Sequence, residues 1–517
     1  MDERVSAAFR LLPDYLTQHV LLSAASLALG LIISLPLVVI ASRRAAVRWP
    51  VLGFASVVQT VPSLALLALF YPLLLALSSA SAYLFGYSFS ALGFLPSLLA
   101  LTLYSMLPIL RNGVTGLMNV DRAIIEAARG VGMTERQRLL RVELPLAAPV
   151  LMAGIRTAAV WVIGAATLST PVGQTSLGNF IFSGLQVENW VAVLFGCGAA
   201  VALAIVTDQL LALVESGVRK RAPLRIWTGV ALLLLGVAAA AAVQLGGGRK
   251  ATYIVGAKNF SEQYILADLI SDAIHKAGHA ASTRVDLGSV IAFRALANND
   301  IDVYVDYSGT VWANVMGRKD WPPREQMVQE MRAALKQEYG VVLLGTLGFE
   351  NAYALAMRRD RAESLGIAAI GDLAQHAPEL ALGGDFEFFS RPEWRALRER
   401  YGLAFREMRQ YQPTFMYRAL ASRQVDVISA FSSDGRIAAD NLLVLQDPLH
   451  VIPPYDAIVL IAPARANDPV LRKALEPLLG AIPIELMRQA NYSVDRDTDK
   501  KSPVQAAQWL SSAAHIR

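Results

Sequence analysis

The 517-residue chain has a single cysteine, Cys197, and charged side chains make up only 17% of it. One cysteine excludes a disulfide framework or a cysteine-rich zinc module within the chain. An average soluble protein is about 25% charged and about 45–50% apolar. This chain is 54% hydrophobic with a mean hydropathy of +0.41, which excludes an ordinary cytosolic enzyme. So much apolar surface with so little charge also excludes disorder. The phosphate-loop pattern GxxxxGK[ST] is missing, so the chain does not bind and hydrolyse ATP in the usual way. Paired carboxylates, a nucleophile–base set and a metal cluster are missing too, which leaves a membrane enzyme without support.

The net charge of +5 invites a nucleic-acid reading until it is divided along the chain. Residues 1–250 hold 18 of the 47 basic and 10 of the 42 acidic side chains, a balance of +8. The rest of the chain holds 29 and 32, a balance of −3, with no basic tract. The basic excess therefore lies in the hydrophobic half, where it sets membrane topology. Nucleic acid is not an expected partner.

Crossing about 30 Å of hydrocarbon takes roughly 20 apolar residues. Residues 20–41, 51–78 and 90–110 have that length and carry no charge. Residues 148–170, with Arg156 near the start, 190–213 and 226–245 complete six candidate spans. Arg156 is expected to snorkel. The basic clusters Arg43/Arg44/Arg48, Arg111 to Arg141, and Arg219/Lys220/Arg221/Arg225 fall in alternate loops. The positive-inside rule puts those loops in the cytoplasm and everything after residue 245 on the opposite side. The sixth span, with basic flank and Ala238–Ala242 tract, has the layout of a signal peptide in mid-chain. It is read as an uncut anchor, with cleavage after the alanines as the rival, and Gly246–Gly248 as a short joint.

Beyond residue 251 the pattern becomes that of an α/β protein. Short strands are predicted at 252–255, 301–304, 341–344, 352–356 and 425–430, and an amphipathic helix at 261–277 with Ser261 as its N-cap. Alternation of this kind implies open sheets covered by helices, with ligands bound in loops beyond the strand ends. His275 and His279 have the spacing of a helical metal pair, but Gly278 ends the helix between them and no third ligand is in view. Cys197 lies in a span with no nearby base and is assigned to packing.

Residues 126–149 read EAARGVGMTERQRLLRVELPLAAP. The expected structure is a short helix, a break at Gly130 and Gly132, a second charged helix and a stop at Pro145. The spacing resembles the signature of ABC importer permeases: Glu-Ala-Ala, Gly132, an apolar Val142, then Leu144-Pro145. The resemblance implies a coupling segment that meets a separate ATPase subunit, with Glu126, Ala127, Gly132 and Pro145 as its matching residues. Residues 154–185 resemble permeases of the osmoprotectant-uptake branch, with no residue assignable to substrate.

The polar half carries GAKNFSEQYIL, DVYVDYSGT, NAYALAM, FEFFSRPEW, ISAFSSDGRI and IPPYDA. Their order and approximate spacing resemble binding proteins for glycine betaine, choline and carnitine over nearly all of residues 251–517. A quaternary ammonium has no N–H to donate, so aromatic faces must hold it, at about 0.5–2 kcal/mol per ring. The resemblance implies a cage of Tyr307, Tyr353, Phe431 and Tyr455, with Tyr417 in reserve. It also places Lys258, Arg391 and Thr310 where a ligand carboxylate needs donors. Phe431 departs from the family, which usually has tyrosine there. Glu350 and Asp306 stand near these blocks without an assigned role.

The fold class expected is an all-α transmembrane type I ABC importer permease fused to an α/β two-lobed type II periplasmic binding protein. Residues 1–221 would form the permease with five helices, 222–250 the anchor and linker, and 251–517 the receptor. One lobe would span 251–353 and 455–517, the other 354–454. The function expected is ATP-driven import of a small quaternary-ammonium solute by a membrane homodimer, with cytoplasmic ABC ATPase subunits as partners. No cofactor is expected beyond ATP on those subunits. Ergothioneine, another trimethylammonium carboxylate, is the rival substrate within this architecture. A membrane-tethered ligand sensor without transport is the rival of another class, and the complete docking motif argues against it.

Overall fold

The computed structural model describes residues 3–86, 89–186, 189–246, 253–318, 320–385, 387–496 and 498–516. Residue 252 of the first predicted strand, Gly247 and Gly248 of the joint, and Phe386 lie outside the described residues. The chain divides into a helical unit, Met1–Gly184 with Trp190–Gly248, and an α/β unit, Leu185–Asn189 with Arg249–Arg517.

The helical unit contains α1 (Glu3–Arg43), α2 (Ala45–Thr60), α3 (Ser63–Phe85), α4 (Phe94–Met118), α5 (Arg122–Gly130), α6 (Glu135–Arg138), α7 (Leu144–Ala166), α8 (Gly178–Gln186), α9 (Trp190–Arg219) and α10 (Pro223–Gly246). Six helical stretches among the described residues are long and apolar enough to cross a membrane. Of these α4 is the centre: 61% of its most apolar window is buried inside the unit, against 33% or less for the others. It packs on α1 and α7. Small residues permit this: a Cβ on Gly154 of α7 would come within 2.6 Å of the Pro108 carbonyl of α4.

Three expectations for this half are corrected. The uncharged run 51–78 is not one span. It breaks at Val61, which is extended (φ −73°, ψ 126°), because the residue before Pro62 is kept out of the helical region. Arg156 does not snorkel: Nε and Nη2 grip Asp208 at 2.9 and 2.8 Å, and Nη1 holds Glu215 at 2.8 Å. The pairing joins α7 to α9, and a paired charge needs no route to water. Pro145 does not stop a helix. The turn Leu139–Glu143 is π-helical, with the Leu144 N–H reaching back to Leu139, and the helix runs on through Pro145 to Ala166. A π turn opens the backbone where the proline ring would otherwise clash.

The α/β unit holds two five-stranded mixed sheets. The strands are β1 (Tyr253–Lys258), β2 (Ala281–Leu287), β3 (Val303–Tyr307), β4 (Val342–Glu350), β5 (Tyr353–Arg358), β6 (Ala381–Asp385), β7 (Glu407–Tyr411), β8 (Val427–Phe431), β9 (Leu442–Val444) and β10 (Asp456–Ile461). The sheet orders are β2-β1-β3-β10-β4 and β7-β6-β8-β5-β9. In each, four strands run in one direction and a single strand, β10 in the first sheet and β5 in the second, runs antiparallel between two of them. The chain crosses between sheets twice, after β4 and before β10. The crossings lie side by side, with the Asn351 N–H bonded to the Tyr455 carbonyl at 2.9 Å.

Five of the ten strands, β1, β3, β4, β5 and β8, were legible as apolar runs, although β3 and β8 begin two residues later than their predicted starts. Strands β2, β6, β7, β9 and β10 were not predicted: the exposed faces of β2 and β7 and the glycines of β6 blur a period-two pattern, β9 is only three residues long, and β10 is a wholly buried apolar run without alternation. Ser261 is not an N-cap. It is the first residue of α11 (Ser261–Lys276), and its hydroxyl donates to Asp495 instead.

Candidate functional site

The topology gathers chemistry at one end of each sheet. Lys258 closes β1, Tyr307 closes β3 and Phe431 closes β8, all at carboxyl ends of parallel strands. Strands β5 and β10 run the opposite way, so their starts arrive at the same ends. Tyr353 opens β5 directly opposite Phe431, and Tyr455 precedes β10, where Ala457 pairs with Tyr307. Arg391 caps the helix Pro392–Tyr401 beyond β6, and Thr310 lies in the turn after β3. This is the place where open α/β sheets bind ligands.

Rings from both sheets meet there. Tyr353 lies 5.1 Å from Phe431 and 6.0 Å from Tyr455 between ring centroids, the latter edge-on at 87°. Tyr307 stacks instead on Phe260, at 6.2 Å. The Arg391 guanidinium sits 5.1 Å over the Tyr353 face and 5.9 Å over that of Tyr455. Its Nη1 donates to the Tyr455 hydroxyl at 3.1 Å, and its Nη2 stands 3.5 Å from Thr310 Oγ1. Arg391 is 7% exposed, with Glu387 and Glu393 beside it and its Nε without a hydrogen-bond partner among the described residues. The faces of these two rings thus already hold a planar cation, the arrangement a quaternary ammonium requires. Burial pushes the Tyr353 and Tyr455 phenols well above their ordinary value, so both remain neutral donors. A Cβ on Gly309 would strike the Tyr455 ring at 2.7 Å, so only glycine lets that ring lie against the turn after β3.

The other expected residues are placed differently. Lys258 is buried in an ion pair with Asp306, which also accepts from the Tyr304 hydroxyl at 2.5 Å. That gives Asp306 its role: it neutralises a lysine that could not otherwise be buried. Glu350 is turned outward to Arg324 at 2.6 Å. Tyr417 stands behind Phe431, whose backbone N–H it accepts at 3.2 Å, and Arg436 covers its ring at 4.1 Å. His275 Nε2 accepts from the Ala281 N–H at 3.2 Å, and no three metal-binding side chains cluster among the described residues.

Sequence reasoning missed a polar group beside the rings. Glu262 accepts from the Tyr307 hydroxyl at 2.5 Å, from Asn351 Nδ2 at 3.1 Å and from Asn491 Nδ2 at 2.8 Å. Burial raises its carboxyl above the ordinary value against the pull of these donors. Glu262 and Asn351 stood inside the quoted blocks, but a lone polar residue carries no periodic signal. Asn491 reaches the group from 229 residues away in sequence.

In the helical unit, α5 presents Glu126 and Ala127 on its exposed side, and Gly132 turns the chain at φ +79°. Thr134 caps the next turn in a box with Gln137. Glu143, 2% exposed, takes Arg138 on one side at 2.7 Å and Arg43 of α1 on the other. Pro145 is exposed on the continuing helix.

Comparison with known proteins covers both units. Residues 251–512 match the substrate-binding domain of the ABC-type glycine betaine transport system, and residues 26–220 match the inner-membrane component of binding-protein-dependent transport systems. The ergothioneine transport permease/ergothioneine binding protein EgtU of Helicobacter pylori is 29% identical over 481 residues, covering 89% of this chain and 82% of that protein. The choline transport system permease protein OpuBB of Bacillus subtilis is 39% identical over 198 residues, covering 38% of this chain and 84% of that protein. The carnitine transport binding protein OpuCC of Listeria monocytogenes is 28% identical over 262 residues, covering 48% and 83%. With one match on each unit and a relative that spans both, the chain belongs to the glycine betaine-type ABC importers and carries their membrane permease and substrate-binding domain on a single polypeptide.

Proposed function

We propose that the chain is the receptor and membrane pathway for ATP-driven import of a small trimethylammonium solute, with hydrolysis on a separate ABC ATPase. The observation that carries the reading is the seating of a cation, the Arg391 guanidinium, on the faces of Tyr353 and Tyr455, with Phe431 closing the same ring cluster. Tyr307, one strand away, completes the cage. The ligands named for the relatives, ergothioneine, choline and carnitine, all carry a trimethylammonium group. Arg391 and Thr310 serve a ligand carboxylate. Lys258, already neutralised by Asp306, adds N–H donors rather than net charge. Tyr417 acts through Phe431 as its backing.

Glu126, Ala127, Gly132 and Pro145 form the face that couples to the ATPase, in a cytoplasmic loop by the positive-inside rule. Residues 1–221 form the five-helix permease, 222–250 a sixth, anchoring helix, and 251–517 the extracytoplasmic receptor, divided as 251–353 with 455–517 and 354–454. Two copies pair in the membrane.

The test is calorimetry on the purified full chain in nanodiscs with glycine betaine, choline, carnitine and ergothioneine. At least one binds, and Tyr353→Ala weakens it roughly tenfold, the equivalent of about 1.4 kcal/mol. Binding of none of the four, or an unchanged Kd in Tyr353→Ala, refutes the cage.

A further inference from the structure

The helix that continues the docking segment also carries a charge inside the membrane unit. The π turn Leu139–Glu143 leads without a break into α7, and Arg156 lies about 18 Å along that helix from Leu144. Its Nε and Nη2 take both oxygens of Asp208, and its Nη1 takes Glu215, at 2.8–2.9 Å. The two acids stand two turns apart on one face of α9.

A static tie between two helices needs one acid for one guanidinium, as Lys258 and Asp306 show in the other unit. Here one guanidinium holds two. Ionisable side chains within spans are costly and are retained for function rather than for packing. Helix α9 also has little burial of its own. Only 6% of its most apolar window is buried inside the unit, against 61% for α4. Lipid gives apolar helices no hydrophobic reason to stay together, so charge-assisted bonds supply the grip of α7 on α9.

We infer that Arg156 is a positioning residue of the transport cycle: it carries displacement of the docking segment from α7 to α9, with Asp208 and Glu215 as its two handholds. The inference rests on the reading of residues 126–145 as the face that couples to the ATPase. Without the guanidinium, a push on α7 would let that helix slip past α9.

The experiment places one nitroxide on α9 at Cys197, the only cysteine of the chain and exposed, or on α7 at the exposed Ala153, as Ala153→Cys in a Cys197→Ser background. The full chain, in nanodiscs with a cysteine-free ABC ATPase, is compared without nucleotide and after trapping with ATP and vanadate. With Arg156 in place, both labels should change mobility on trapping, by about twofold or more in correlation time. In Arg156→Gln the α7 label should still respond and the α9 label should fall silent. Exchanging the charges, Arg156→Asp with Asp208→Arg, should restore the α9 response. Neither a misfolded chain nor a merely stabilising pair gives that split between two adjacent helices. An α9 label that still responds in Arg156→Gln overturns the relay and leaves the coupling face standing. So does an α9 label that is silent with Arg156 in place while the α7 label responds. Silence of both labels with the ATPase bound overturns the coupling face and the relay together. Should Arg156→Gln fail to fold, Asp208→Asn takes its place, and an undiminished α9 response there overturns the relay.

Discussion

At the residue scale, the site contrasts two ways of keeping a charge out of water. Lys258 is matched one-to-one by Asp306, so the pair adds little net field. Arg391 is shared among ring faces, a phenol and two glutamates, and its Nε has no partner among the described residues. A shared cation can give donors to an incoming carboxylate without breaking a pair, which is why the proposed reading favours Arg391 over Lys258 as the carboxylate anchor. Tyr353, Phe431 and Tyr455, which the structure brings together, could be picked out in the sequence because their blocks came in a recognisable order, whereas Tyr307 stacks on Phe260. The Glu262 group could not be, because its members come together only through tertiary folding. A separate acid reports on stability. Asp268 of α11 is half-buried, with no paired cation among the described residues, and burial holds its carboxyl up at about 7. The folded chain keeps that proton to about pH 7, while the unfolded chain releases it near 3.8. The native state is therefore penalised as pH rises from about 4 through 7. Asp268→Asn should raise Tm by a few degrees at pH 8 and flatten its pH dependence, read by tryptophan fluorescence on heating. An unaltered pH profile would show that the carboxyl is not perturbed.

At the element scale, the segment 122–145 shows what a pattern predicts and what it omits. The helix, the break at Gly132 and the charged second turn follow from local preferences, and the structure has all three. The expected stop at Pro145 fails because a π turn absorbs the proline, making the segment continuous with α7. A push on α5 and α6 is then delivered directly to a helix packed against α4. Glu143 ties the same segment to α1 through Arg43. Removing it would leave Arg138, 2% exposed, with Glu135 as its one acidic partner among the described residues. Glu126→Arg, which reverses charge on the exposed face, and Glu143→Ala, which cuts the tie, should each lower uptake into vesicles more than tenfold. Calorimetric ligand binding should stay within twofold of the unaltered chain. Uptake at the normal rate in both variants would remove the coupling role of this segment.

At the scale of the whole molecule, a fusion ties stoichiometry to the proposed pairing: if two copies build one membrane pathway, that pathway carries two receptors. Co-expression with a partner ABC ATPase should yield, in mass photometry, a particle of two such chains and two ATPase subunits. A single chain with one ATPase would refute the pairing. The fused arrangement also raises the local receptor concentration at the membrane, since the tether removes a diffusional encounter.

The sequence alone determined the division into an apolar, basic half and a polar, mildly acidic half, because both hydrocarbon length and charge bias are written in consecutive residues. It also carried the docking spacing and the order of the aromatic blocks. Only the tertiary structure decided that Arg156 is paired, that Pro145 is carried through, that Lys258 is bound to Asp306, and that Asn351 and Asn491 meet at Glu262. Each of these is a contact between residues distant in the chain or a backbone accommodation between packed elements. Hydrophobic periodicity records which face of an element is buried, and the partner waiting there is known only once the elements have packed.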